Sequence, residues 1–363
     1  MVILMAAPQP DEYTQHESYY QTDYGRWNGY VHRIPVLRQI IDIRAASIFS
    51  SWLTKGTHAR QAKSTLDEFE GRGNETFRLI MENMYKIAYI CGDAYAIKIY
   101  EDENEEYITD LHILPSDNIR QVIQKGKILR YEEIDGDKKW EHYQIFHLRY
   151  KPRGAMTHGI GMVESLNNIL LSYEQMIQIG QEIYERMSRP REWIFANTDN
   201  PTKLQTIRTA LKEAGETWSG VVVIPKTLID KQETTQLTVS LKPQEWLDTL
   251  SKEIFKATAT PELVLGTGYS TSEEDAKTRI SGYIQSIRRD QNWMEENVKK
   301  QIFMEMWPTS PPDIEFSFAN EAQDESFRRN MEAIPVIEAS QVISPENKNA
   351  LIQERLEEAG LIK

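Results

Sequence analysis

The chain has 363 residues, of which 40% are hydrophobic and 27% charged, so it is long enough for two or three compact units with cores of their own. Its 55 acidic and 42 basic residues give a net charge of -13. That balance argues against tight wrapping of nucleic acid, which needs clustered Lys and Arg, but it permits a channel through which DNA slides.

The amino terminus, MVILMAAPQP, has no basic segment and only a short apolar run, and no later run is long enough to span a membrane. The single cysteine, Cys91, has no partner for an intramolecular disulfide and lacks the spacing of a zinc site, so we expect it in the core. The sequence therefore predicts a protein that stays in the cytosol where it is made.

The first third of the chain predicts a tail, two helices and a β-layer. Residues 1–30 are rich in Tyr, Gln and acidic side chains without a sustained period, so plain disorder and a partner-binding arm are both open. Apolar spacing predicts amphipathic helices at Ile34–Leu53 and Phe77–Ile90. Alternating apolar residues then predict four strands, with IDGDKK as a hairpin turn: Ala94–Tyr100, Tyr107–Ile113, Ile128–Ile134 and Tyr143–Leu148.

Two long helices, Val163–Ser188 and Gln244–Thr258, bracket a small α/β insert. In the insert we expect a helix opened by Asn200 and Pro201, together with three strands, at Trp193–Ala196, Gly220–Ile224 and Gln236–Leu241.

Beyond Pro261, the run LGTGYSTS breaks the second helix. Ser272, with Asp275 three residues later, predicts the start of another helix that reaches about Met306. Ile314–Phe318 is expected to be a strand that returns to the earlier sheet, and Ser344–Leu361 a turn followed by a helix.

The usual signatures of catalysis do not occur in the sequence. RGAMTHGIG contains Gly154, Gly159 and Gly161 but no following GK[ST], so it predicts a turn that leads into a helix. His142 and His147 are expected on opposite faces of a strand, where they cannot share a metal ion. With no GxSxG or HExxH motif, we expect neither an enzyme nor a cofactor.

Three segments together resemble the portal proteins of tailed bacteriophages. Leu111–Leu170 contains a strand, a proline turn, a charged hairpin, a second strand and a Gly-rich turn before a long helix. Cys91–Leu114 is similar to the strands of the portal wing, and Ala257–Ile280 is similar to its helix, Pro turn, tunnel loop and next helix. The resemblance covers roughly Asn28 to Phe318.

This resemblance implies an α+β portal fold with a mixed α/β wing, long stem helices, a small α/β clip insert and a short helical C-terminal crown. The implied divisions are an N-terminal arm (1–30), the wing (31–162), the stem helices (163–188 and 244–259), the clip (189–243), the tunnel loop with a long helix (260–306), and a returning wing strand with the crown (307–363).

The resemblance also implies two functional surfaces. The first is a tunnel loop that faces DNA, formed by Thr267, Gly268, Tyr269, Ser270, Thr271 and Ser272; a simple connection buried in a subunit contact is the alternative. The second is a clip surface that faces terminase and an adaptor, formed by Lys203, Arg208, Lys212, Lys226 and Lys231. From the sequence alone, surface solubility explains the basic residues of the insert slightly better than contact with DNA or the motor.

The implied assembly is a homo-oligomeric ring of twelve copies at one capsid vertex, through which double-stranded DNA passes. Its implied partners are the large terminase subunit, a head-completion or adaptor protein, and the major capsid and scaffold proteins. It would be located in the virion, and in the host cytoplasm during assembly. Two alternatives stay open: another virion structural protein, such as an adaptor or minor head protein, and a nucleic-acid-processing or nucleotide-hydrolysing enzyme.

Overall fold

A computed structural model of the chain describes residues 17–101, 107–188, 193–196, 198–214, 222–225, 243–265, 273–317 and 345–358. The chain divides into two compact units. The larger is drawn from Met1–Leu170 and Lys252–Lys363, and the smaller is Leu171–Ser251.

The described part of the larger unit begins with two strands, each followed by two helices: β1 Ser18–Gln21, α1 Tyr24–Arg33, α2 Pro35–Ile48, β2 Ser51–Lys55, α3 Ala59–Asp67 and α4 Phe77–Cys91. The interpretation of residues 1–30 as a disordered tail is wrong for the described part, because β1 pairs with a later strand and Trp27 and Tyr30 are buried. The helix expected at Ile34–Leu53 ends at Ile48, and Ser51 starts a strand.

Two antiparallel sheets follow. The first has the order β4-β3-β8, with β3 Asp93–Tyr100, β4 Ile108–Leu114 and β8 Ile145–Arg149. The second has the order β1-β5-β6-β7, with β5 Ile119–Gln124, β6 Lys127–Glu133 and β7 Lys139–Glu141. Their shared core is a cluster of buried residues: Tyr95, Leu114, Ile119, Tyr131, Trp140 and Ile145. The sequence did not predict β5, because polar Arg120, Gln121 and Gln124 hide its apolar alternation.

The long helices and the insert follow in the expected order. Their bounds are α5 Met162–Ser165, α6 Asn167–Ser188, β9 Trp193–Ala196, α7 Pro201–Ala214, β10 Val222–Pro225 and α8 Pro243–Thr258. Strands β9 and β10 are parallel. Asn200 accepts from the backbone N–H of Thr202 at 2.9 Å, which confirms that it opens α7. The strand expected at Gln236–Leu241 lies outside the described residues.

The last part of the chain contains α9 Glu273–Val298, a π-helical turn Lys299–Phe303, α10 Met304–Met306, β11 Asp313–Ser317 and α11 Pro345–Glu358. The expectation that β11 returns to the earlier sheet is wrong, since it pairs antiparallel with β2 instead. The reason is local packing: Phe316 of β11 is buried against the Phe49 ring, which follows α2. Of the helices in the described ranges, none is long and apolar enough to span a bilayer.

Candidate functional site

The connection from α8 to α9 is the part of the fold where the sequence predicted contact with DNA. The predicted residues themselves, Thr267–Ser272, lie outside the described residues. The structure describes the base of this connection on both sides. Helix α8 ends at Thr258, Ala259 adopts a left-handed φ of 51°, and a 3-10 turn runs over Glu262–Leu265. Helix α9 then begins at Glu273.

One buried arginine holds both sides of this base. Arg44 of α2 is 1% exposed, and its guanidinium donates to the Thr258 carbonyl at 3.0 Å. The same group donates to Ser286 Oγ and to Asp290 Oδ2 of α9, each at 2.7 Å. A planar guanidinium offers several donors in a fixed fork, which suits it to join three elements at once. Arg44 therefore ties α2 to the end of α8 and to the middle of α9.

Buried hydroxyl groups complete this polar network. Tyr85 of α4 donates to Asp290 Oδ2 at 2.8 Å. Burial, and next the nearby Asp290 carboxylate, raise the pKa of Tyr85 well above its usual value, so the hydroxyl keeps its proton and can donate. Ser47 and Tyr283 share a further hydrogen bond of 3.1 Å between α2 and α9. The two attachment points of the α8–α9 connection are thus fixed by satisfied, buried polar groups.

A cavity of about 580 Å³ lies at the same base. Phe255, Pro261 and Tyr283 contribute apolar lining, and the side chains of Lys252, Lys256 and Arg279 also line it. The predicted Pro261 break thus lies at this cavity, and Tyr283 belongs both to the cavity lining and to the polar network.

A second buried network joins the two sheets. His147 Nε2 lies 2.7 Å from Asp93 Oδ1, and His147 Nδ1 lies 2.9 Å from the Tyr131 hydroxyl. The backbone N–H of Gly159 also donates to Asp93, at 3.0 Å. Burial lowers the pKa of His147, although Asp93 opposes the shift, so the neutral ring donates to Asp93 and accepts from Tyr131. All three side chains are buried, which gives the network a structural role in joining β3, β6 and β8.

Sequence reasoning missed both networks. Arg44 and Asp290 each stand within apolar helical patterns, and 246 positions separate Arg44 from its partner. A charged residue on the apolar face of α2 was the available signal. Asp93, directly after the Gly92 that ends α4, was the corresponding signal for the second network.

The other predicted residues occupy separate places. Lys203 is exposed on the first turn of α7. Arg208 and Lys212 fall on the same helix, with side chains outside the described residues, and Lys226 and Lys231 lie wholly outside them. His142 begins the 3-10 turn at the edge of β8, and His147 is buried in β8. In the part of the chain that the structure describes, no group of three or more His, Cys, Asp or Glu side chains could hold a metal ion.

Comparison by sequence finds no matching family model and no matching curated protein. Comparison by structure finds long matches. The neck of a native gene transfer agent (GTA) particle computed with C12 symmetry matches at a TM-score of 0.63 and 14% identity, over 94% of this chain and 96% of that one. The neck of an empty GTA particle computed with C6 symmetry matches at a TM-score of 0.62 and 14% identity, over 93% of this chain and 95% of that one.

A crystal structure of an HK97 family phage portal protein from Corynebacterium diphtheriae also matches. Its TM-score is 0.50 at 11% identity, over 80% of this chain and 95% of that one. The resemblance predicted from sequence is confirmed at the level of fold: the chain has the mixed α/β fold of the phage portal proteins.

Proposed function

We propose that this protein is the portal subunit of a tailed phage or of a phage-derived particle. The observation that carries the proposal is the length of the match: 94% of this chain superposes on 96% of a chain from a particle neck. The role inferred is structural, with passage of DNA through a ring at one capsid vertex and no bond-breaking step.

The proposed ring consists of about twelve copies, in keeping with the C12 and C6 symmetry used for the matching necks. Within each copy, residues 31–162 would form the wing, 163–188 and 244–259 the stem, and 189–243 the clip. Residues 307–363 would form the crown together with β11, the strand that pairs with β2. Residues 1–30 would be an arm at the wing, of which β1 is the part that joins the sheet.

In this assignment, Thr267–Ser272 is the tunnel loop. Small hydroxyl and glycine residues suit a surface that a helical polyanion passes without binding it strongly. The Arg44 network supports this role because it holds Thr258 and Asp290, on the two helices that carry the loop. Deletion of Gly268–Thr271 is expected to spare ring assembly and to impair DNA packaging or retention, and a normal packaging yield would contradict the assignment.

The clip would contact the large terminase subunit during packaging and an adaptor protein afterwards, while capsid and scaffold proteins would surround the ring. Exposed Lys203 supports a surface role for α7. Charge reversal at Lys203 and Lys212 tests this contact, and unchanged terminase binding would count against it.

The first test of the whole proposal is the mass and symmetry of the purified protein. Native mass spectrometry and negative-stain class averages are expected to give a ring of about a dozen subunits with a central hole. A monomer or dimer at high concentration would contradict the portal role and favour the alternative of a nucleic-acid-processing or nucleotide-hydrolysing enzyme.

A further inference from the structure

A basic loop on the larger unit stands out against the acidic character of the chain. The 22 residues from His142 to Val163 contain no Asp or Glu, although the chain as a whole has 55 acidic residues in 363. Residues 151–155, Lys-Pro-Arg-Gly-Ala, lie within this stretch, and all five are exposed. We call them the basic loop. It presents Lys151 and Arg153 at the surface, within a stretch of sequence that contains no acidic residue.

Backbone hydrogen bonds hold both ends of this loop. The N–H of Tyr150 donates to the Gly92 carbonyl at 2.7 Å, and the N–H of Ile160 donates to the Tyr150 carbonyl at 2.8 Å. Tyr150 is 2% exposed. Inside the loop, the N–H of Met156 donates to the Arg153 carbonyl at 3.2 Å. Backbone hydrogen bonds therefore close the loop at the buried Tyr150, so that the backbone of its two cationic residues is held in a turn.

A third cation from α9 reaches the same surface. Lys151 Nζ lies 4.6 Å from the centroid of the Tyr150 ring, and that ring lies 5.6 Å from the ring of Trp293 on α9, one helical turn beyond Arg289. Burial lowers the pKa of Lys151, Asp290 opposes the shift, and the like charge of Arg289 lowers this pKa further. The Arg289 side chain is 64% exposed. Its acidic neighbour, Asp290, is 4.0 Å away and already accepts from Arg44 and Tyr85. The negative charge nearby is thus largely balanced from inside the protein.

The character of this surface favours a nucleic acid over a protein. A protein interface needs an apolar centre, often with aromatic anchors. Among the residues that the structure describes, the large exposed hydrophobic side chains nearest in sequence are Tyr143 and Leu171, both outside the basic loop. Binding to a phosphate backbone needs only cations held in place, because its main driving force is the release of counterions.

We propose that Lys151 and Arg153 of the basic loop, with Arg289 of α9, bind the sugar-phosphate backbone of double-stranded DNA. This inference rests on the proposed portal function, and it adds a binding surface distinct from residues 267–272. It also assigns opposite tasks to two regions: the basic loop holds DNA through its charges, whereas the proposed tunnel loop lets DNA slide.

The test uses full-length protein and a fluorescent 30-base-pair duplex of arbitrary sequence, with anisotropy measured at several salt concentrations. The variant K151E/R153E is compared with K127E/K138E, which makes the same change in net charge at exposed lysines of another surface. We expect K151E/R153E to weaken binding at least tenfold and to reduce the slope of log K against log salt by about two, since each duplex phosphate contact contributes about 0.9. K127E/K138E should change affinity less than threefold.

Equal losses in the two double variants, or no loss in either, would overturn the inference. Binding of the wild type to poly-glutamate but not to the duplex would also overturn it, in favour of an acidic protein partner. Thermal unfolding of each variant verifies the fold. Arg289→Ala tests the contribution of the third cation to duplex binding without changing the basic loop. Native mass spectrometry of the same samples tests ring formation separately, so failure of the portal role and failure of this surface give different results.

Discussion

The guanidinium of Arg44 donates to the carboxylate of Asp290 at 2.7 Å, and the two side chains are only 1% and 3% exposed. This pair joins α2 to α9 across the core of the larger unit. An ion pair this deeply buried is costly to desolvate, and it persists because Tyr85, Ser286 and the Thr258 carbonyl supply the remaining hydrogen bonds. Its consequence is geometric, since Arg44 holds α2 both to the end of α8, at the Thr258 carbonyl, and to α9, at Asp290.

Asp290→Ala is expected to destabilise the protein by about 3–5 kcal/mol, because it leaves a buried arginine charge without its partner. The free energy of unfolding from urea titration measures this loss. The double variant Arg44→Met/Asp290→Leu should lose less than the sum of the two single variants, since it removes both charges together.

The exposed pair Arg38–Asp42, 3.7 Å apart with side chains 67% and 50% exposed, is the matched control. Arg38→Ala should cost less than about 1 kcal/mol. Equal losses in the free energy of unfolding for Asp290→Ala and Arg38→Ala would show that the buried network stabilises the protein no more than an exposed ion pair does.

The pH dependence of stability should report on the network around His147. Burial depresses the pKa of His147 below the 6.5 of the free side chain, despite the opposing Asp93 carboxylate. The unfolded chain then binds more protons than the folded one, so stability is fully present above about pH 6.5 and falls as the pH drops below that value. His158, whose pKa burial also lowers, contributes with the same sign.

Urea unfolding midpoints at pH 7.5 and pH 5.0 test this expectation. His147→Gln should lower stability at pH 7.5, because it disturbs the hydrogen bonds to Asp93 and Tyr131, and should lose less on acidification than the wild type. His32→Gln, at an exposed position of α1, is the control and should keep the wild-type pH response. An unchanged pH response in His147→Gln would mean that other groups carry the acid sensitivity.

Much of the fold could be predicted because local patterns and tertiary packing agree. Val163, Leu166 and Leu170 recur at helical spacing and are buried, and Asn200 with Pro201 marks the start of α7. The segment Ser51–Lys55 shows the opposite case. Leu53 continues the apolar spacing of α2, but β11, more than 250 residues away, recruits this segment into a ribbon. Helical spacing carries no information about such a distant partner.

The candidate site likewise has features that local sequence predicts and features that depend on distant contacts. The proline break after α8 and the helix that begins at Glu273 follow from turn and capping chemistry. The buried pairs Arg44–Asp290 and Asp93–His147 depend on contacts over 246 and 54 positions, respectively. Single-sequence patterns reveal a polar residue on an apolar face, but the identity of its partner is a property of the folded chain.

Gly159 should tolerate no side chain. A Cβ there would lie 2.1 Å from the Gly92 carbonyl oxygen and 2.6 Å from the Tyr150 nitrogen, both backbone atoms that cannot move independently. Gly159→Ala is therefore expected to cost at least about 3 kcal/mol or to prevent soluble expression. Gly25→Ala, where no atom lies within 4 Å, should be nearly neutral in thermal unfolding. A stable Gly159→Ala variant would mean that the turn before α5 rearranges readily.

The apolar stripes of α6 and α8 lead to a prediction about ring assembly. The first stripe is buried at Leu166, just before α6, and at Leu170 in α6, but Ile177 of the same stripe is 41% exposed. On α8 the stripe is buried at Ile254, whereas Trp246 is 59% exposed. If a neighbouring copy covers these residues in the proposed ring, truncation should weaken the ring and leave the isolated subunit as stable as before.

Ile177→Ala/Trp246→Ala is expected to shift the protein from rings toward monomers in native mass spectrometry, at a concentration where the wild type is assembled. Its free energy of unfolding as a monomer should change by less than about 0.5 kcal/mol, because side chains this exposed bury little surface in one chain. Tyr107→Ala, at a residue 50% exposed on the larger unit, is the control for loss of an exposed aromatic group. Intact rings in the double variant would place the subunit contact elsewhere, whereas a monomer that also unfolds more easily would mean that these side chains stabilise the subunit itself.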